Sequence, residues 1–430
     1  MQSLLKQVLK HQVYPAMGCT EPVATALCTA KAASLVKGKI IKATVFVDNA
    51  TYKNGLAVRL PNTKKERGNL LAGALGLIIK KPELEMEILK EVNNKNLKQA
   101  KELVKNKIVE LKIKNKKSFY IEVQITTDKK EKATAIICTH HTNFIYISLN
   151  GKILKNEKEQ KNQKNKKCSL NNLLKKATIK TLIKEAQNAD TEDLKYIKKG
   201  VLMNLKISKE GRKLKKVGYY LQSLVDKKIL SKNLVNQTKI LCAFAADARM
   251  DGAALPVMSS GESGNQGIVA ILAPYNVGKA LKVKEEIILK SIALSHLLNA
   301  YVKTWTGGLA PICGCAIAAG VGAASALVYQ QKGADINKIT LAINNIISDI
   351  GGMLCDGAKS GCALKVVSSV DSALRAAFMA INNYGISQVE GFVGQNAQKT
   401  IQNLSRISNT GMINVDSTIL DIMEEKTKCK

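Results

Sequence analysis

The chain has 430 residues, 46% of them hydrophobic and only 4% aromatic, which is typical of a globular protein with one or two cores of Leu, Ile, Val and Ala. The net charge of +32 raises the question of a nucleic-acid ligand, yet residues 241–380 carry eleven basic against nine acidic side chains, and the lysine-rich middle lacks the interleaved aromatic residues that stack bases. We therefore predict a solvated lysine surface and no nucleic-acid binding.

The first predicted elements are a short helix and the N-terminus of a second helix. Apolar residues at helical spacing predict a short amphipathic helix over residues 2–14. The block 18–22 has the composition of a helix N-terminus, with Thr20 as N-cap and Pro22 in the first turn. Cys19 then lies where free backbone N–H groups lower the pKa of a thiol, which makes it a candidate reactive cysteine.

A small sheet is predicted for the rest of the N-terminal part. Residues 39–47 alternate and are β-branched, residues 56–60 are a second strand candidate, and residues 52–55 between them have the composition of a turn. After helices over 70–80 and 83–105, strand-like runs follow at 108–113, 118–126, 133–138 and 143–149. Residues 1–151 are therefore predicted to form a mixed α/β domain.

Two adjacent histidines, His140 and His141, precede the last of these strands. Neighbouring side chains in a strand point to opposite faces, so we do not expect the two rings to bind one metal. Satisfied or exposed histidines are the simpler interpretation.

The composition changes in the middle of the chain. Residues 152–167 are almost wholly Lys, Asn, Gln and Glu, which predicts a lysine-rich linker or insertion over 152–169. From residue 170 the pattern is helical and becomes rich in Ala, which predicts an all-helical domain over 170–430. The fold class is thus α+β, with an N-terminal mixed domain that contains a small sheet and a C-terminal helical domain.

One stretch resembles a membrane span, because residues 304–331 carry no charge. Its Gly, Ala and Cys content and its internal proline instead favour a closely packed core helix. No membrane contact is predicted.

Four of the ten cysteines, Cys313, Cys315, Cys355 and Cys362, lie in a region with few aromatic or charged residues. Thiolates select iron–sulfur clusters, zinc or copper(I). Structural zinc sites usually present two close cysteine pairs. The spacing here lacks a second close pair, so we predict an iron–sulfur site. The uneven spacing of all ten cysteines and the absence of a secretory signal predict free thiols in a reducing cytoplasm.

A loop rich in glycine and hydroxyl residues precedes an apolar helix at residues 258–267. Such loops expose backbone N–H groups that bind anions, although a plain helix connector is the default interpretation of the loop alone. No dinucleotide or Walker-type phosphate motif is present in the sequence.

Together, the blocks at 18–22, 263–267, 313–316 and 355–365 resemble the L-cysteine desulfidase family, which is related to the iron–sulfur L-serine dehydratases. The blocks occur in the same order, and the resemblance covers nearly all of the chain except the lysine-rich middle. It implies a [4Fe–4S] cluster held by three cysteines, one iron left open for substrate, and β-elimination without pyridoxal phosphate.

The resemblance also assigns residues. Related dehydratases carry Gly-Cys with a further glycine five residues after the cysteine, which Gly314, Cys315 and Gly320 match. The implied cluster ligands are Cys315, Cys355 and Cys362, with Cys313 as neighbour or alternative. The implied substrate-binding residues are Thr20, Glu21, Lys53, Asn54, Ser263, Gly264, Asn265 and Gln266.

The implied reaction converts L-cysteine and water to pyruvate, ammonia and hydrogen sulfide. The carboxylate of the L-cysteine substrate would bind the 263–267 loop, and a base would remove the Cα proton. We predict Cys19 as that base, with Lys359 or Asp356 as the alternative bases. An equal interpretation of these two residues is that they are neighbours of the cluster.

Two alternatives stay open at this stage. An L-serine dehydratase would use the same cluster with hydroxide as leaving group, and only the 18–22 block separates the two. A non-catalytic iron–sulfur sensor would need a fourth ligand, for which Cys429 is a candidate. The choice between a monomer and a homodimer is also open.

Overall fold

The computed structural model describes residues 2–116, 118–157, 170–308 and 310–428. Its strands are β1 (Pro15–Ala16), β2 (Ile40–Val47), β3 (Val109–Ile113), β4 (Tyr120–Thr127), β5 (Lys132–Cys138), β6 (Phe144–Leu149), β7 (Lys152–Asn156) and β8 (Val257–Met258). The helices of the first part are α1 (Leu4–Gln12), α2 (Thr20–Ala33), α3 (Asn49–Leu56), α4 (Asn69–Ile79) and α5 (Asn94–Lys105), with a 3₁₀ segment at Pro82–Glu91.

The helices of the second part are α6 (Leu170–Lys176), α7 (Ile179–Gln187), α8 (Thr191–Gly211), α9 (Val217–Asp226), α10 (Leu234–Met250), α11 (Gly264–Ala280), α12 (Glu285–Thr306), α13 (Ile317–Lys332), α14 (Ile336–Ile350), α15 (Cys362–Ile381), α16 (Ala397–Arg406) and α17 (Val415–Lys428). A short π-helical segment lies at Ile407–Gly411. The chain is therefore mixed, with a small sheet in the N-terminal region, as the sequence predicts. The range 170–430, predicted to be all-helical, also contains β8, which pairs with β1.

The sheet has the strand order β3-β2-β4-β5-β6-β7, in which only the β2–β3 pair is parallel. Ala43, Val45 and Val47 of β2 are buried, which agrees with the alternation of this segment. Helices α2 and α4 pack together against the sheet and complete one hydrophobic core.

The last strand lies beyond the boundary predicted at residue 151. Lys152–Asn156 pairs with β6 across a turn at Asn150-Gly151, and Ile153 and Leu154 continue the strand pattern. Cross-strand pairing thus overrides the lysine-rich composition at the start of the predicted linker. Residues 158–169 lie outside the described residues, so the remainder of that linker stays a prediction.

The second core is built by helices. Helix α13 is buried from Ile317 to Gln330, so the uncharged stretch is the end of α12, a loop and a core helix. Among the helices of the described ranges, none combines the length and the apolar character that crossing a membrane requires.

The N-terminal segment connects the two cores. Helix α1 packs its Leu5, Val8 and Leu9 into the helical core, although it precedes the sheet in sequence. The chain then pairs β1 with β8 and enters α2, which belongs to the other core. Residues 12–22 therefore lie at the junction of the two cores.

One predicted turn is a helix. Residues 52–55 lie within α3, because Asp48 caps this helix by accepting bonds from the N–H groups of Ala50 and Thr51. The strand predicted at 56–60 is consequently absent, since Leu56 is the last residue of α3.

Candidate active site

Two loops bring the thiols together. The N–H of Cys313 donates to Met353 O at 2.7 Å and the N–H of Cys355 donates to Pro311 O at 2.7 Å, which forms a bridge between Ile312 and Leu354. This bridge places Cys313, Cys315 and Cys355 on one wall of a cavity.

The three thiols influence one another's pKa. Cys313 donates to Cys315 and Cys355, which holds the pKa of both below that of an ordinary thiol and raises the pKa of Cys313. Cys362, the first residue of α15, is close enough to Cys315 and Cys355 to sense their charge, and burial raises its pKa to about 11. Three of the four cysteines of the predicted site therefore line the cavity, and Cys362 lies near them outside its wall.

The donor set at the two cysteine loops is made of thiols. In the described part of the chain, no group of three or more His, Cys, Asp or Glu side chains is arranged to hold one metal ion. The thiolates that hold a cluster bind different iron atoms, so they need not converge on one point. The group here is entirely thiol, which is the chemistry that iron–sulfur clusters require.

The opposite wall of the cavity contains a buried carboxylate, Glu21. Its Oε1 accepts from Asn54 Nδ2 at 2.9 Å, and its Oε2 accepts from Thr20 Oγ1 at 3.1 Å and from Cys19 Sγ at 3.0 Å. Burial acts to raise the pKa of Glu21, but the neighbouring His141, Cys19 and Asn54 outweigh it and hold that pKa below its usual value. The structure thus joins four of the residues named from sequence in one network.

The expectation for the pKa of Cys19 is wrong. Cys19 is the N-cap of α2, one position before the predicted Thr20, but its side chain makes no cap bond. Burial, together with the charge of Glu21, raises the pKa of Cys19 well above its usual value. Cys19 itself does not line the cavity, whereas the adjacent Thr20 and Glu21 do.

Lys53 lies in the cavity wall, and its ammonium group has partners within the protein. Its Nζ donates to Cys355 O at 2.7 Å and to Asp416 Oδ1 at 2.5 Å, and its side chain is only 2% exposed. It therefore ties the second cysteine loop to helices α3 and α17.

The glycine-rich loop contributes a turn and a helix N-terminus. Ser263 is the N-cap of α11, lines the cavity, and has its Oγ 3.7 Å from Cys315 Sγ. Gln266 also lines the cavity, whereas Gly264 and Asn265 do not. The loop thus offers Ser263 and Gln266 to a ligand.

Glu262 joins the sheet to this loop. His140 and His141 lie in the turn between β5 and β6 rather than on opposite faces of a strand, and both rings approach Glu262. His140 Nδ1 is 3.0 Å from Glu262 Oε2, and His141 Nδ1 is 4.0 Å from Oε1. Glu262 and His141 line the cavity.

The two alternative bases are not in the cavity. Asp356 forms ion pairs with Lys359 and with Lys365 Nζ, the latter at 2.5 Å, and neither Asp356 nor Lys359 is part of the cavity wall. Burial acts to raise the pKa of Asp356, but the two lysines hold it at about 2. Both residues therefore lie beside the second cysteine loop and outside the cavity wall.

Sequence reasoning missed Glu262 and Lys303. Lys303 lies on the last turn of α12 and lines the cavity. One available signal was that Lys303 is the only charged residue between 291 and 331. Glu262 has a φ of +65°, a conformation that single-sequence patterns do not reveal for a glutamate.

Comparison with known proteins shows which family the chain matches. A family model described as "Serine dehydratase alpha chain" matches residues 83–421, which is most of the chain and includes all four clustered cysteines. The chain belongs to the serine dehydratase alpha chain family. This membership supports the relation to the iron–sulfur serine dehydratases as a group and does not distinguish the desulfidases among them.

Relatives of this family member extend over its whole length. A UPF0597 protein of Elusimicrobium minutum (strain Pei191) is 63% identical over 427 residues, covering 99% of this chain and 100% of the relative. A UPF0597 protein of Geobacter sulfurreducens is 51% identical over 425 residues, covering 99% of each chain. A third, from Clostridium tetani, is 40% identical and also covers 99% of each chain.

The His140–Glu262 bond predicts a pH dependence of stability. The bond to Glu262 raises the pKa of His140, although burial opposes it. A raised pKa stabilises the fold fully below the unfolded value of about 6.5, and this contribution is lost as pH rises through the folded pKa. We expect His140→Gln to lower the thermal midpoint by roughly 1–3 °C more at pH 6 than at pH 8.5, measured by differential scanning calorimetry.

A double-variant cycle provides the control for this prediction. In the Glu262→Gln background, His140→Gln should no longer lower the thermal midpoint more at pH 6 than at pH 8.5. Equal effects of the single substitution at pH 6 and pH 8.5 would contradict the prediction.

Proposed function

We propose that this chain is a [4Fe–4S]-dependent lyase that converts L-cysteine to pyruvate, ammonia and hydrogen sulfide in a reducing cytoplasm. The observation that carries the proposal is a single cavity with thiols on one wall and with Glu21, Ser263 and Gln266 on the others. This arrangement offers a metal site and an amino-acid site within one enclosed space. An L-serine dehydratase is the second candidate, supported by the family to which the chain belongs.

Cys315, Cys355 and Cys362 are the proposed cluster ligands, and Cys313 is the neighbouring thiol. A cluster bound by three thiolates supplies one Lewis-acidic iron that stabilises a departing sulfide or hydroxide. The bond from Lys53 to the carbonyl of Cys355 holds this ligand loop in place from the side of α3.

The residues on the opposite wall orient the amino acid. Glu21 is charged and faces the cavity, so it is the proposed partner of the substrate ammonium. Ser263 lines the cavity at the N-terminus of α11 and is available to the carboxylate. The thiol or hydroxyl of the substrate then points toward the cysteine loops.

Removal of the Cα proton is assigned to Cys19, which lies next to Thr20 and Glu21 of the cavity wall. Burial and the charge of Glu21 keep Cys19 protonated at rest, so it acts as a base only as the thiolate that forms when its proton leaves to solvent. A thiolate of high pKa has strong proton affinity but a low population. Elimination gives aminoacrylate, which tautomerises and hydrolyses to pyruvate and ammonia without further catalysis.

The choice between L-cysteine and L-serine requires a direct assay. We expect the anaerobically reconstituted protein to release sulfide and pyruvate in equal amounts from L-cysteine, with a higher kcat/KM than for pyruvate formation from L-serine. A preference for L-serine would establish the dehydratase instead. No pyruvate from either substrate by a protein that carries its cluster would overturn both functions.

The ligand assignment predicts a separation among the cysteines. Replacement of Cys315, Cys355 or Cys362 by Ala should abolish the broad visible absorbance and the iron content of the reconstituted protein. Cys28→Ala and Cys242→Ala are matched controls, because both thiols are fully buried away from the cavity and should leave the iron content unchanged. Stoichiometric zinc without iron after anaerobic purification would contradict the assignment.

Cys19→Ser separates three roles of this residue. Serine keeps the hydrogen bond to Glu21 but is a far weaker acid, so turnover should fall at least about a hundredfold while iron content stays normal. Loss of iron together with activity would identify Cys19 as a ligand, and unchanged turnover would identify a packing residue. Iron content and sulfide release measured on the same sample distinguish the three.

A further inference from the structure

A lysine in the cavity wall has no role in the function described so far. Lys303 lies at the end of α12, where its Nζ donates to the carbonyl of Gly261. Gly261 has a φ of +52°, and a Cβ at this position would lie 2.7 Å from Lys303 Cδ. The glycine therefore makes room for the lysine stem, which brings the ammonium beside the loop that leads into α11.

The other charges of the cavity already have partners. Lys53 is paired with Asp416, and Glu262 is bonded to His140. Glu21 accepts bonds from Cys19, Thr20 and Asn54. Among the described residues, no carboxylate lies within ion-pair distance of Lys303, although Glu262, Cys315 and Glu21 are near enough to influence its charge.

A cation in this position is costly to leave without a counter-ion. Burial lowers the pKa of Lys303, which reflects the loss of water around the ammonium. A negative ligand group would restore the favourable environment of the charge, and a planar carboxylate is a good acceptor for it.

Gln266 provides a second, independent observation. This side chain is 5% exposed, lines the cavity, and its Oε1 has no hydrogen-bond partner among the described residues. A Cβ on Gly314 would lie 2.8 Å from Gln266 Nε2, so the amide is held between the α11 N-terminus and the first cysteine loop. A buried amide with an open acceptor is ready for the ammonium of an amino acid that Lys303 holds by its carboxylate.

We propose that Lys303 binds the α-carboxylate of the amino-acid substrate and that Gln266 assists by binding its ammonium group. This inference rests on the proposed function, since it assumes an amino-acid ligand in this cavity. It makes Lys303, rather than Lys53, the lysine that selects α-amino acids over amines.

The test uses a ligand that cannot react. L-alanine has both charged groups but no leaving group, and L-alaninamide replaces its carboxylate with a neutral amide. By isothermal titration of the reconstituted and the cluster-free protein, the wild type should prefer L-alanine. Lys303→Gln should weaken L-alanine binding about tenfold or more, as expected for a lost charge-assisted bond, and leave L-alaninamide binding unchanged.

Two further variants distinguish binding from folding. Lys303→Arg keeps the charge and should recover part of the affinity. Lys290→Gln makes the same substitution on α12, where Lys290 pairs with Glu286 outside the cavity, and should bind L-alanine like the wild type. In turnover assays, Lys303→Gln should raise KM with kcat largely retained.

The inference is overturned if the wild type does not prefer L-alanine to L-alaninamide, or if Lys303→Gln binds L-alanine normally. A fall in kcat at constant KM would also overturn it, because that pattern indicates a base. Failure of the proposed function is a different result, in which L-alanine binding depends on Lys303 but neither L-cysteine nor L-serine yields pyruvate.

Discussion

The short antiparallel bridge between the two cysteine loops is the constraint on which the site depends. Residues 313 and 355 are far apart in sequence, and two backbone bonds of 2.7 Å hold them side by side. The loops leave the helical core at the ends of α12 and α14, and α13 and α15 begin directly after them. Packing of these helices therefore determines where the thiols lie, and Lys53 ties the second loop to α3 and α17.

The cavity is complete only because the two cores meet. The thiols, Ser263 and Lys303 come from the helical core, while Glu21, Lys53 and His141 come from the part that contains the sheet. Residues 12–22 cross from one core to the other, and the β1–β8 pair fixes them beside the loop that precedes α11. Such a boundary allows groups of opposite charge to be held at fixed positions around a small ligand.

The sequence indicated the thiol site because cysteine spacing is a local signal that survives without a structure. The small sheet and the helical second part also followed from periodicity, with β7 missed because lysine composition hid a pairing strand. The Asn-Gly pair within residues 52–55 predicts a turn, whereas the Asp48 cap makes this segment a helix. Cap bonds of this kind depend on a single side chain, so the average composition of a segment does not indicate them.

The charges of the site were harder to predict because they depend on tertiary contacts. The pKa of Cys19 was expected to fall at a helix N-terminus, but burial beside Glu21 outweighs the helix dipole. The histidines converge on Glu262 because they lie in a turn, and Lys303 enters the cavity because α12 ends there. The burial of Cys19 and the contacts of the histidines with Glu262 depend on segments that are distant in the sequence.

The central claim is that three thiolates hold a four-iron cluster with one iron open to an amino acid. Mössbauer spectroscopy of the protein reconstituted with ⁵⁷Fe tests it most directly. The account predicts three similar iron sites and a fourth whose isomer shift changes when L-cysteine or L-serine is added. Four equivalent irons that do not respond to either amino acid would contradict it.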